Sequence, residues 1–176
     1  MNVQADLIFL PYDAESKKTL VDILIDELRS DRWRQFHAAI AFARVSGNYR
    51  ELLDALIDFA GRGGAIEITF GANQFADGEG SDYEAVETLL KELAEFPNAK
   101  LHLYSEPYRT FHPKLYLFVN GTTALLIVGS SNWTQGGLER NVEVNVSLHL
   151  NLEDPEQRAA FDRTLEVFQT YWREAS

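Results

Sequence analysis

Residues 111–132 read Phe111-His112-Pro113-Lys114-Leu115-Tyr116-Leu117-Phe118-Val119-Asn120-Gly121-Thr122-Thr123-Ala124-Leu125-Leu126-Ile127-Val128-Gly129-Ser130-Ser131-Asn132. Two apolar runs, 111–119 and 123–128, flank Asn120-Gly121, a dipeptide suited to the positive φ angles of a tight hairpin. The hairpin folds the second run antiparallel to the first. Gly129-Ser130-Ser131-Asn132 therefore returns toward the start of the first strand. Side chains two apart on a strand share a face, so His112, Lys114 and Tyr116 project together. Phe111, Leu115 and Leu117 face the other way, into the core. A third alternating run, 142–148, brings Glu143 into the same region. The reading is of an imidazole, an ammonium, an asparagine and a carboxylate gathered at one end of a sheet.

Outward from this stretch the chain alternates in period. Residues 7–10 form an apolar run stopped by Pro11, a strand or an arm. Leu20, Ile23, Leu24 and Leu28 have helical spacing and predict a helix from Ser16 to about Arg29. The continuous apolar run 36–43 has the length of a buried strand. Asn48-x-x-Glu51 reads as a capping box opening a helix with Leu52, Leu53, Leu56, Ile57 and Ala60 on one side. Gly61 and Gly63-Gly64 stop it. Residues 66–70 alternate as a strand, and 71–80 are a loop. Ser81-x-x-Glu84 reads as a second capping box, before Val86, Leu89, Leu90 and Leu93. Residues 101–104 form another strand. Asp154-Pro155 is an N-cap followed by an N1 proline, opening a last helix with Phe161, Leu165, Phe168 and Trp172 on one side. This order predicts a single α/β domain over 1–176, a mixed β-sheet sandwiched by helices, standing alone or as one domain of a longer protein.

The composition is 45% hydrophobic and 24% charged, as in globular proteins, and the net charge is −11. The acid is uneven. Asp77, Glu79, Asp82, Glu84, Glu87, Glu92 and Glu95 face only Lys91 within 74–96. The region around the motif is close to neutral, with Lys100, Arg109, Lys114 and Arg140 against Glu106, Glu139 and Glu143. A protein that holds duplex DNA by bulk electrostatics is usually basic, so affinity for nucleic acid is expected at the motif alone. The chain has no cysteine, which excludes disulfides and thiolate metal sites. No signal peptide is visible, and no apolar run approaches the ~20 residues of a membrane span. The expected location is cytoplasmic, away from membranes. Asp77-Gly78-Glu79-Gly80-Ser81-Asp82 lacks calcium-loop spacing and reads as a mobile loop.

The gathered groups meet the needs of phosphoryl transfer. A neutral imidazole, His112, can attack phosphorus. Lys114 supplies positive charge to nonbridging oxygens, and Asn132 donates to them. Ser130, Ser131 and the backbone of their turn add donors, and Arg140 can touch a phosphate. Glu143, bonded to the other imidazole nitrogen, would fix its tautomer as a triad carboxylate does. The catalytic candidates are thus His112, Lys114, Asn132 and Glu143, and the substrate-binding candidates Ser130, Ser131 and Arg140. None of these roles requires a metal or another cofactor. Tyr116 and Trp133 read as packing groups, Glu139 as solvated, and His37 and His102 as core or sheet residues.

Phe111-His112-Pro113-Lys114-Leu115-Tyr116, with Gly129-Ser130-Ser131-Asn132-Trp133-Thr134, Gly137-Leu138 and Asn141-x-Glu143, resembles the phospholipase D superfamily. That family follows His-x-Lys with an aspartate five residues after the lysine; here Val119 stands there. A subgroup containing metal-independent restriction endonucleases and related nucleases lacks the aspartate and uses a later asparagine and glutamate, matching Asn132 and Glu143. The resemblance implies a phospholipase D-like half-domain, a phosphohistidine intermediate, and a second histidine from a second motif that protonates the leaving oxygen. With one motif per chain, it implies a two-fold homodimer with the His112 side chains face to face. The implied activity is a metal-independent phosphodiesterase, a nuclease or nuclease domain acting on DNA ahead of RNA. Two other readings remain: a phospholipase or phosphatidyltransferase, and a catalytically weak nucleic-acid-binding module in a helicase or restriction system.

Overall fold

A computed structural model of the chain describes residues 3–11, 18–45, 47–72, 81–105 and 110–174. The helix expected from Ser16 begins at Leu20, behind its N-cap Thr19; of the loop expected over 71–80, Gly71 closes a strand instead, and 73–80 lie outside the described residues. The strands are β1 (Gln4–Leu10), β2 (Gln35–Ile40), β3 (Ala65–Gly71), β4 (Ala99–Tyr104), β5 (Lys114–Val119), β6 (Thr123–Gly129) and β7 (Glu143–Asn151). The helices are α1 (Leu20–Arg29), α2 (Tyr49–Gly61), α3 (Tyr83–Leu93) and α4 (Pro155–Glu174), with a π-helical turn at Gly136–Arg140. One seven-stranded sheet runs in the order β1-β7-β6-β5-β2-β3-β4. β2, β3 and β4 are parallel, and the other neighbouring pairs are antiparallel. The expected mixed sheet between helices is what forms.

Strand alternation divides the core into two layers. Phe36, Ala38, Ile40, Ile68, Tyr116 and Phe118 pack with α1, α2 and α3 on one face. Ala39, Leu117, Val119 and Leu150 meet Phe161 and Phe168 of α4 on the other. β2 is buried from Phe36 through Ile40 because it is central and covered on both faces, which explains its unbroken apolar run.

The hairpin between β5 and β6 forms where expected. Gly121 takes φ +99°, and Asn120 Oδ1 accepts from Thr122 N at 3.1 Å and Thr123 N at 2.9 Å. Asp154 also caps α4 as read, accepting from Glu156 N at 2.9 Å and Gln157 N at 3.1 Å.

The expected capping boxes at Asn48 and Ser81 do not form. Asn48 makes no side-chain cap; its backbone N–H donates to Glu139 Oε1 at 2.9 Å. Glu51 pairs with Arg29 instead. Ser81 lies one residue before the α3 N-cap, Asp82, and its hydroxyl accepts from Ala43 N at 3.1 Å. In both cases a tertiary partner takes the group that a local cap would have used. The capping box that does form was not read from the sequence. Thr19 caps α1, with Asp22 Oδ2 accepting from Thr19 N at 2.9 Å and Thr19 Oγ1 accepting from Asp22 N at 3.4 Å.

This topology sets where chemistry can happen. Lys114 opens β5 opposite Ile40, the last residue of β2. Gly129 closes β6 opposite Asn145, and Glu143 opens β7 opposite Leu10. All three strand ends therefore lie at one end of the sheet. We expect Thr19→Ala to lower the stability of the protein by about 1 kcal/mol in urea unfolding, the usual loss for an N-cap. Asn48→Ala should change it by less than about 0.5 kcal/mol. Equal losses would contradict the assignment of caps.

Candidate active site

His112 precedes β5 and is exposed, while Lys114, two residues on, is only 6% exposed. The Lys114 ammonium turns back onto the imidazole. Its Nζ lies 2.8 Å from Nδ1 and 3.0 Å from Nε2 of His112, and it donates to the His112 carbonyl at 3.0 Å. An ammonium can only donate, so the ring nitrogen it meets offers a lone pair. Burial and the Lys114 charge both hold His112 below the ordinary histidine pKa. Burial also lowers the pKa of Lys114, and the Glu143 carboxylate opposes that shift. The arrangement favours a neutral, nucleophilic imidazole at neutral pH.

Glu143 sits at the start of β7. Its carboxylate accepts from the Ser130 hydroxyl, and from Asn141 Nδ2 at 3.3 Å. Ser130 Oγ in turn accepts from Val144 N at 3.2 Å. The expected triad-like bond from Glu143 to His112 is absent among the described residues. The sheet order gives the reason: β6 lies between β7 and β5, which separates their backbones by roughly 10 Å. Glu143 acts on the pair electrostatically, through Lys114, and organises the Ser130 turn.

Ser131 differs from its expected substrate-facing role. It is fully buried, its hydroxyl accepting from Asn145 Nδ2 at 2.9 Å and its N–H donating to Asn145 Oδ1 at 3.4 Å. Its carbonyl accepts from the buried Tyr116 hydroxyl at 2.9 Å. Ser131 is a clasp that fixes the turn between β5 and β7. Asn132 follows it, half-buried, and its Oδ1 is buried with no hydrogen-bond partner. A Cβ at Gly137 would lie 2.7 Å from Asn132 N and 2.6 Å from Asn132 O, so only glycine lets the π-helical turn close over Asn132. Arg140 ends that turn and is exposed. Glu139 is not simply solvated, because it accepts from the Asn48 backbone.

The structure thus brings His112 against Lys114, and Ser130 against Glu143. Asn132 follows the Ser131 clasp in the chain and makes no direct bond to His112 or Lys114. Sequence reading missed Asn145, Asn141 and Phe42. Asn145 carried a signal, since it shares a strand face with Glu143. Asn141, quoted only as part of the Asn141-x-Glu143 pattern, gave no hint that it bonds the carboxylate. Phe42, inside an apolar run, carried none; its ring centroid is 5.6 Å from that of His112. The other histidines are elsewhere. His37 and His102 lie under α4, stacked on Trp172 with centroids 5.6 and 5.9 Å away. His149 stands six residues along β7 from Glu143, roughly 20 Å at strand rise.

Among the described residues, no helix is long and apolar enough to cross a membrane. The family model described as "Cardiolipin synthase, PLD-like domain" matches residues 24–172. No curated protein matches the chain. Among solved structures, NucT from Helicobacter pylori aligns with TM-score 0.66 at 18% identity, covering 98% of each chain. Nuc from Salmonella typhimurium, a phospholipase D family member, aligns with TM-score 0.65 at 16% identity, over 99% of this chain and 97% of that one. Phosphatidylserine synthase from Haemophilus influenzae aligns with TM-score 0.66 at 15% identity, over 98% of this chain and 39% of that one. These likenesses establish the shared fold. Since the family model spans nearly all of the sheet and the whole His-x-Lys cradle, the chain belongs to the phospholipase D superfamily and is a domain built to act on phosphodiester bonds.

Proposed function

We propose that this protein is a metal-independent phosphodiesterase that cleaves nucleic acid, DNA ahead of RNA, through a phosphohistidine on His112. The observation that carries the reading is the exposed imidazole whose ring nitrogens lie within 3.0 Å of the buried Lys114 ammonium. A His112 ring nitrogen attacks phosphorus, an N–P bond forms and the P–O ester bond breaks. Lys114 and the Asn132 amide stabilise the charge on the nonbridging oxygens. Ser130 orders the turn around Glu143, and the exposed Arg140 is available to a flanking phosphate. The leaving oxygen takes a proton from the His112 of a second copy, which enters this step as imidazolium while the attacking His112 is neutral. That imidazole then removes a proton from water, the resulting hydroxide attacks phosphorus, and the N–P bond breaks to free His112. The second copy enters because none of His37, His102 and His149 stands beside the cradle.

Nucleic acid is favoured by the motif spacing, with Asn132 and Glu143 in place of an aspartate after Lys114. It is also favoured by the extent of the match, since NucT and Nuc correspond to this chain over almost their full length. Phosphatidyl transfer is the second reading, favoured by the description of the family model and by the phosphatidylserine synthase alignment. Incubation with DNA, RNA and phosphatidylglycerol vesicles in EDTA separates them. We expect DNA cleavage to exceed lipid turnover. Headgroup release or exchange outpacing DNA cleavage would reverse the order.

In the same assay His112→Ala should lose activity by ~10³-fold or more, and Lys114→Ala by about 10²–10³-fold. Cleavage by His112→Ala equal to wild type would sink the assignment. The depressed pKa of His112 gives the pH dependence its sign. The base form persists below the ordinary histidine value of about 6.5, so the acid limb of kcat/KM should lie beneath that value. A limb above it would contradict the electrostatics of the site. Light scattering should give the mass of a dimer for the active protein, alone or with DNA bound; an active strict monomer would rule out the second imidazole.

A further inference from the structure

Residues 41–44 leave the end of β2 and run past the site, and their backbone is held from several directions. Ala41 N donates to Pro113 O at 2.9 Å, tying the segment to the residue between His112 and Lys114. Phe42 O accepts from Trp133 N at 3.0 Å, and Arg44 N donates to Trp133 O at 2.9 Å, in a parallel bridge beside the Ser131–Trp133 turn. Ala43 is fastened to the start of α3, donating to Ser81 Oγ at 3.1 Å and accepting from Asp82 N at 2.7 Å. Phe42 therefore starts from a fixed backbone position between the two halves of the motif.

Its half-buried ring meets both members of the His-x-Lys pair. The ring centroids of Phe42 and His112 are 5.6 Å apart with the planes at 75°. Lys114 Nζ lies over the Phe42 ring, 5.8 Å from its centroid. His112 is exposed, and among the described residues its imidazole has Lys114 as its only hydrogen-bond partner. In a triad a carboxylate orients the imidazole; here the carboxylate is engaged by Ser130 and Asn141.

We infer that Phe42 is a positioning residue for the reaction, its ring setting the orientation of the His112 imidazole and sheltering the Lys114 ammonium from water. The inference rests on the function proposed above for that site. An edge contact with an aromatic neighbour restricts the swing of an otherwise free imidazole. A ring face beside an ammonium compensates part of the hydration that burial removes. Burial is the leading cause of the depressed pKa of both His112 and Lys114, and Phe42 is part of what buries them. Among the described residues, the charged groups that act on the pair are Lys114 itself and Glu143, which acts through Lys114. Arg44, on the same segment as Phe42, is directed to Asp82 at 4.0 Å.

The test is a titration of the His112 ring by NMR in wild type, Phe42→Tyr, Phe42→Leu and Phe42→Ala, with the signal assigned by its loss in His112→Asn. No substrate is needed, so the outcome is independent of whether DNA is cleaved. We expect Tyr to leave the titration in place, and Leu and then Ala to move it up toward the ordinary histidine value. In the cleavage assay kcat should fall on the order of 10- to 100-fold in Phe42→Ala, with KM little changed and the acid limb moving up with the NMR titration. Phe42→Tyr should restore both. An unchanged His112 titration across the variants would overturn the inference, as would equal losses of kcat in Tyr and Ala. If Phe42→Ala does not fold, the comparison of Leu with Tyr decides. A higher His112 pKa in Leu than in Tyr supports the role, and equal values reject it. If wild type cleaves none of the substrates, the function falls while the titration still decides the role of Phe42.

Discussion

The antiparallel pairing of β5 with β2 is the constraint from which the site follows. β5 enters the centre of the sheet, with Lys114 opposite Ile40 and Val119 opposite Gln35. A slip of one residue would reverse every side chain of β5. Tyr116 and Phe118 would leave the α1–α3 layer, Leu117 would leave the α4 layer, and Lys114 would cross to the other face of the sheet. The apolar cost of that slip is large because both faces are buried. The position of the chemical group is thus enforced by side chains that do no chemistry.

The same enforcement explains how a lysine can be held out of water. An isolated buried ammonium is costly, by several kcal/mol in real proteins. Lys114 meets that cost with the His112 nitrogens, the His112 carbonyl and the face of Phe42. Glu143 adds a favourable field from two strands away. The consequence is chemical: an ammonium so placed favours an unprotonated imidazole, and the imidazole lies where the sheet ends and solvent begins. The acidic body of the protein has little part in this, since the motif region is close to neutral.

Most of the fold was legible because periodicity reports burial directly. The Asn120-Gly121 hairpin, the Asp154-Pro155 helix start and the buried run of β2 are each local patterns with one physical meaning. The errors were of a different kind. Asn48 and Ser81 have residue types and spacings that suit a helix cap, yet Glu139 and Ala43 claim the groups involved. Ser131 looks like a phosphate donor beside Ser130, yet Asn145 closes over it. A hydroxyl or amide has several possible partners, and which one it takes depends on segments far away in the chain.

The sequence by itself determined that His112 and Lys114 share a face, that a tight turn brings Ser130 and Asn132 back toward them, and that Glu143 lies in the following strand. Those statements depend on the two-residue period of a strand and on short-range turn chemistry, which act within a few residues. Only the tertiary structure decided that Glu143 serves Ser130 and Asn141 rather than His112, that Ser131 is interior, and that Phe42 lies against the His112–Lys114 pair. Strand order and the crossing of the 41–44 segment set those distances. Both arise from long-range packing of two buried faces, which no local pattern encodes.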